Sequence, residues 1–260
     1  MAISAAPEHG LGRSHAAPGP VLFGRYAFGP NRLGYCGPDD STALLEYAAA
    51  GIDDGGLRAL ARGFDGAYPY LELIAAANGV ADPLDRSVVE AYWLGNGLTE
   101  AVPRSQLQRS VEARFRPRLA PSSWRWLEAS LASGARPVHA FHVLEIFPRV
   151  GLLRGGETSD LLTTIDACRI RWGRVEAVSG DALAVSAVPL ELRDGKLALG
   201  APRLETITRW LDGHGFVDDI APGEVVAIHW SWACDRLSQT QLGNLVAWTR
   251  LALRLANRAI

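Results

Sequence analysis

The sequence contains only three cysteines, Cys36, Cys168 and Cys234, and no two of them form a CxxC pair. An odd number of widely spaced cysteines argues against a disulfide framework and is typical of a reducing compartment, so we expect the cytoplasm. Because no CxxC pair is present, a structural zinc knuckle is not expected either.

The chain also lacks long apolar runs and clusters of basic residues. No stretch approaches the roughly 18 apolar residues that indicate a membrane span, so no membrane partner is expected. The first twenty residues lack the apolar core of a signal peptide, and we expect residues 1–20 to form a flexible tail. The formal net charge is −2 and no Lys/Arg cluster with interleaved aromatic residues is present, which argues against a nucleic-acid partner.

The usual catalytic and nucleotide-binding motifs are missing as well. The sequence has no GxGxxG after a predicted strand, no GxxxxGK[ST], no GxSxG and no HExxH. A nucleotide cofactor is therefore not expected.

Residues from about 40 to 150 have a helical pattern. Asp40 and Ser41 offer N-cap chemistry before the periodic run ALLEYAAA, and Gly51 predicts the end of that helix. Further apolar-periodic runs follow, each ended by Gly, Pro or Asp; the last, VHAFHVLEIFPRV, is predicted to be one helix that ends at Pro148. We therefore predict an all-helical domain over residues 21–156.

The pattern changes to short alternating runs in the last third of the chain. After a short helix, CRIRWGRVEAV and ALAVSAVPLEL alternate as strands do, and Asp194-Gly195 predicts a tight hairpin turn. Ser238 is placed to cap a long amphipathic C-terminal helix. The predicted fold is α+β: an N-terminal all-helical domain, then a small OB-like β-barrel with a C-terminal helix packed on it, over residues 157–260.

Two segments of this last third resemble the HypC/HupF chaperones, which act in nickel–iron hydrogenase maturation. CRIRWGRVEAVSGDALAV resembles the start of those proteins, where a cysteine begins a strand that leads to an acidic glycine turn. PGEVVAIHWSWACDRLSQTQLGNLVAWTRL resembles their later segment, in which a turn glycine, here Gly223, precedes a strand that ends in a functional histidine, here His229.

The resemblance implies that Cys168 and His229 form a metal-binding pair. It also implies that the chain is an assembly factor rather than an enzyme, carrying an iron atom with cyanide and carbonyl ligands. The implied partners are a HypD-like maturation protein and the precursor of the hydrogenase large subunit. A cysteine thiolate is a soft ligand that suits such iron, and an imidazole can bind the iron or a neighbouring ligand.

The chain departs from the chaperones in two ways. Their cysteine directly follows the initiator methionine, whereas Cys168 is internal, and Trp172 stands where they have a proline. The segments FGRYAFGPNRLGYCGPDD and HAFHVLEIFPRVGLL resemble an uncharacterised actinobacterial family in which a helical region is fused to this barrel. That second resemblance implies no mechanism.

Other residues offer alternatives from two enzyme classes. His139 and His142 are three residues apart, so on a helix they share a face that Glu145 continues, and a metal-dependent enzyme is one alternative. A cysteine-nucleophile enzyme that uses Cys36 or Cys168 with a histidine base is the other. Cys36 also remains an additional ligand candidate. For Cys234 we favour packing, with a role as a further ligand left open.

Overall fold

The computed structural model describes residues 17–148 and 158–258. Residues 1–16 of the predicted tail and the predicted domain boundary after residue 156 lie outside these ranges. The described helices of the first half are α1 Gly19–Arg32, α2 Ser41–Ala50, α3 Gly55–Arg62, α4 Tyr68–Asn78, α5 Arg86–Trp93, α6 Gly97–Ala101, α7 Arg104–Phe115, α8 Pro121–Ala132 and α9 His139–Phe141. A 3₁₀ turn at Arg116–Arg118 follows α7, and a π-helix at His142–Ile146 continues α9.

The second half begins with a helix and continues as strands. Its elements are α10 Thr158–Cys168, β1 Arg171–Ser179, β2 Ala182–Ala187, β3 Leu190–Arg193, β4 Lys196–Leu199, β5 Arg203–Thr208, β6 Trp210–Leu211, β7 His214–Gly215, β8 Val225–His229, β9 Trp232–Arg236 and α11 Gln239–Ala256. The chain is therefore mixed α+β, as predicted. None of the helices in the described ranges has the length and apolar character needed to cross a membrane.

Several local predictions are confirmed by the backbone. The Asp40 side chain accepts a hydrogen bond from the Ala43 amide at the start of α2, and Gly51 ends that helix in the left-handed conformation. Asp194 and Gly195 have φ angles of 51° and 73°, which suit a type I′ turn between β3 and β4. Ser238 caps α11 through a capping box with Gln241.

Helix α1 is the main element that the sequence pattern did not indicate, since the helical pattern was predicted to begin near residue 40. Most of its residues are buried, from Gly19 through Asn31. Three glycines and two prolines give it a loop-like composition, but the glycines allow close packing. A Cβ atom on Gly29 would lie 2.6 Å from the carbonyl oxygen of His229, so α1 crosses the end of β8 at backbone contact distance.

Five strands form a sheet in the order β1-β2-β5-β9-β8, and β8 pairs back with β1 to close it. Side chains alternate across β8, so Val226 and Ile228 lie in the core enclosed by the sheet. Ala227 belongs instead to the large core of the helices, to which β9 adds Trp232. The helical region and the outer face of the sheet thus share one hydrophobic core, and His229, at the end of β8, faces α1.

Three predictions need correction. Cys168 does not begin a strand: it is the last residue of α10, and β1 starts at Arg171. The predicted single helix through Pro148 is a short α-helix that widens into a π-helix ending at Ile146. Helix α11 makes its larger contacts with α9, the π-helix and β4 rather than with the five-stranded sheet, because its apolar face meets the helical core.

Candidate metal and ligand site

A cavity of about 590 Å³ lies between the helices and the end of β8. Its volume is in the range of small-molecule sites. Five of the seven residues singled out from the sequence line it, namely Cys36, His139, His142, Cys168 and His229. Aromatic rings of Phe64, Tyr92, Trp93, Phe115 and Phe147 make up much of the remaining wall.

Three of these residues form a tight cluster inside the cavity. One potential ligand atom each of His139, Cys168 and His229 lies within 4.8 Å of the other two. Metal-bound nitrogen and sulfur atoms of one site are usually about 3.5 Å apart, so a shift of about 1 Å would bring the cluster to metal-binding distances. Within residues 17–148 and 158–258 this is the group of His, Cys, Asp and Glu side chains whose spacing suits a metal ion.

The tautomer of His229 follows from its hydrogen bond. Its Nδ1 atom lies 2.6 Å from the carbonyl oxygen of Tyr26, and a carbonyl can only accept, so Nδ1 carries the proton. Nε2 therefore presents a lone pair, and this atom is buried without a hydrogen-bond partner among the described residues. Burial lowers the pKa of His229 from 6.5 to about 4, so the ring is neutral at physiological pH.

His139 is held differently, because both of its ring nitrogens are engaged. Nε2 lies 2.9 Å from the carbonyl oxygen of Cys168 and must donate to it, which leaves Nδ1 to accept from the Tyr92 hydroxyl at 3.1 Å. Burial, and secondarily the nearby His229 ring, hold the pKa of His139 well below its usual range. His139 can thus bind a metal only by giving up a hydrogen bond, and as it stands it fixes the backbone at Cys168.

Cys168 presents a protonated thiol to the cavity. Burial, and secondarily the nearby Cys36 thiol, raise the pKa of Cys168 well above its usual range. No positive group lowers it, so the thiol would lose its proton only to a strong acceptor such as a metal ion. The cluster is electrically neutral in this state: one thiol and two neutral imidazoles.

The remaining predicted site residues lie outside the cluster. His142 lines the cavity, with its Nδ1 atom 3.3 Å from the Tyr70 hydroxyl, and Cys36 is an exposed residue in the cavity wall. Glu145 is fully buried in the π-helix and does not line the cavity. Cys234 is buried in the shared core, where its Sγ lies 3.6 Å from the carbonyl oxygen of Trp232, as a packing role predicts.

Sequence reasoning missed the groups that orient the cluster. Tyr26 acts through its backbone carbonyl, which any residue carries, so no sequence signal could have identified it. Tyr92 acts through its hydroxyl, which bonds to His139, but its helical run RSVVEAYW contains no motif that marks it. The cavity residue Arg114 was also missed, because its helical run, RSVEARF, offers no motif.

Comparison with models of protein families matches residues 15–260 to a family of unknown function, DUF6390. The match spans most of the chain, which therefore belongs to this family. Comparisons with curated proteins and with solved structures gave no match.

Proposed function

We propose that this chain is an accessory protein of nickel–iron hydrogenase maturation that carries an iron unit as cargo on Cys168 and His229. The observation that carries the proposal is their proximity: they are 61 positions apart in sequence, yet their ligand atoms lie within 4.8 Å of each other. They are also the two residues to which the HypC/HupF resemblance assigns the iron. The same proposal interprets the closed five-stranded sheet as an OB-like barrel of the chaperone type.

The ligand set favours a transported metal over a resident structural one. A structural zinc or iron site is closed by four protein ligands. Here one lone pair, on Nε2 of His229, and one thiol, on Cys168, are available, while both nitrogens of His139 are already hydrogen-bonded. Two protein ligands leave most coordination positions to the cargo's own ligands, which suits a unit that must later be released.

The donor chemistry suits low-spin iron with cyanide and carbonyl ligands. A thiolate is a soft, electron-rich ligand, and a neutral imidazole binds without adding charge. His139 and His229 are buried at the aromatic part of the wall, which would limit the access of water to a unit that must arrive intact. On this proposal the cargo comes from a HypD-like partner and passes to the large-subunit precursor in the cytoplasm.

The test is to purify the protein anaerobically from cells that express a nickel–iron hydrogenase, then measure iron and record the infrared spectrum. Cyanide and carbonyl stretching bands that disappear in Cys168→Ala and persist in Cys234→Ala would support the proposal. Cys234→Ala is the matched control because it removes a buried thiol outside the cavity. Hydrogenase activity that is normal in cells with only Cys168→Ala would contradict the proposal.

A cysteine-nucleophile enzyme is the second candidate, and the geometry of His229 favours it in one respect. A lone pair beside a thiol, with the other ring nitrogen held by a carbonyl, is the arrangement of a nucleophile, a base and an orienting group. Burial acts against it, since it raises the pKa of Cys168 and lowers that of His229, so that the neutral pair is preferred over thiolate and imidazolium. Slow alkylation of Cys168 would exclude this candidate.

A further inference from the structure

A second group of polar side chains lines the same cavity beside the ligand cluster. Arg114, Arg118 and His142 all contribute to the wall, and the one carboxylate among the lining residues is that of Asp65. Arg118 and Asp65 are exposed, whereas Arg114 is half-buried. Two guanidinium groups against one carboxylate give this part of the cavity wall a net positive charge.

Arg114 is fixed in position, but one of its hydrogen-bond donors is unpaired within the described part of the chain. Its Nη2 atom donates to the backbone oxygens of Asp65 and Gly66, at 3.0 and 3.2 Å. Its guanidinium also stacks on the rings of Tyr70 and Phe115, with 4.6 and 4.7 Å from Cζ to the ring centroids. Nη1 is buried and has no hydrogen-bond partner among the described residues. A buried charged donor without a partner is costly, so a bound acceptor would stabilise it.

His142 adds a second donor. The positive charge of Arg114 beside Tyr70 favours the hydroxyl proton pointing away from it, toward Nδ1 of His142, which then accepts. Burial, and secondarily Arg114, lower the pKa of His142 to about 3, so the ring is neutral and its proton is on Nε2. A Cβ atom added to Gly66 would lie 3.7 Å from this Nε2, and the glycine leaves that space open.

We infer that Arg114 and His142 form a binding subsite for a small anion with hydrogen-bond-accepting atoms. Such an anion is either a free carboxylate or an anionic ligand on a metal held by Cys168. The subsite itself requires no metal and stands apart from the proposed function. Only the second kind of anion, a ligand on a metal held by Cys168, rests on that function.

The test uses chelator-treated, reduced protein and two probes, acetate and hexacyanoferrate(II), in calorimetric titrations. Arg114→Gln removes the guanidinium, and Arg109→Gln is the matched control, because it removes the same charge from the exposed side of the same helix. We expect Arg114→Gln to weaken binding by about tenfold or more and Arg109→Gln to leave it nearly unchanged. His142→Phe keeps the ring volume, removes the Nε2 donor and is expected to weaken binding as well.

Binding of acetate supports a free carboxylate as the ligand, and binding of hexacyanoferrate alone supports a metal-borne anion. Equal losses in the two arginine variants, or no binding of either probe by folded wild-type protein, would overturn the subsite. Anion binding that survives in Cys168→Ala, together with missing cyanide and carbonyl bands, would show that the subsite stands while the proposed function fails.

Discussion

The sharpest prediction concerns how metal binding depends on pH. Cobalt(II) is a suitable probe because a cysteine thiolate bound to it gives a characteristic near-ultraviolet absorption. Binding requires Cys168 to lose its proton, since burial keeps the pKa of this thiol above its usual range. His229 needs to lose none, because its pKa is about 4 and the ring is already neutral.

The expected magnitude follows from this count of protons. One proton is released per cobalt, so the dissociation constant should fall about tenfold per pH unit. From pH 5.5 to 8.0 the change is about 300-fold, or about 3.4 kcal/mol. A histidine with an ordinary pKa of 6.5 would add a further factor of about ten at pH 5.5. A plot of log Kd against pH should therefore have a slope of −1 throughout this range.

The assay is an anaerobic cobalt titration in non-coordinating buffers at half-unit pH intervals. Cys168→Ala should abolish both the near-ultraviolet absorption and the pH dependence, whereas Cys234→Ala should keep both. A slope of −2 below pH 6.5 would mean that His229 is protonated and solvated, and the account of its burial would be refuted. A slope that persists in Cys168→Ala would show that another group supplies the proton.

Three further predictions concern reactivity and stability. Cys168 should react with iodoacetamide more slowly than free cysteine at pH 8, as mass spectrometry of the peptide can measure, and faster labelling would favour the nucleophile enzyme. Because His229 has a pKa of about 4 when folded and an ordinary 6.5 when unfolded, the unfolded chain binds more protons between these values. Stability should therefore fall as the pH falls through this window, and His229 should account for about 1.4 kcal/mol of the loss at pH 5.5. Urea unfolding of the wild type and of His229→Gln at pH 7.5 and 5.5 measures this contribution, and an equal loss of stability in the two proteins would contradict it. Gly29→Ala should destabilise the fold by about 1–3 kcal/mol in urea unfolding, because its Cβ would meet the His229 carbonyl, whereas Gly243→Ala on the open face of α11 should be neutral or stabilising.

Local chemistry made part of the fold predictable. The caps at Asp40 and Ser238 and the turn at Asp194-Gly195 act within a few residues, so the sequence alone indicates them. Helix α1 could not be recognised in the same way, because its glycines and prolines are unfavourable locally. They are tolerated since neighbouring elements pack directly against its backbone, as at Gly29, and that information is tertiary.

The site was predictable in its residue types and not in its geometry. Motif resemblance selected Cys168 and His229, and helical spacing selected His139 and His142 as a possible metal-binding pair; all four line the cavity. The same spacing suggested that His142 shares a metal with His139, but His142 lies outside the cluster. Its ring is turned to Tyr70, which belongs to a distant part of the sequence and cannot be identified from local periodicity.

The helical region does more than cover the sheet, because it determines the chemical state of the cluster. The carbonyl of Tyr26 in α1 fixes the proton of His229, and His139 in α9 holds the backbone at Cys168. Burial raises the pKa of Cys168 and lowers that of His229, so both groups are held in their neutral forms. Without the helical region, His229 at the end of β8 would be open to solvent and would lack the Tyr26 carbonyl that orients its ring. The helices and the sheet therefore build the cluster together, since β8 supplies His229, α10 supplies Cys168 and α9 supplies His139.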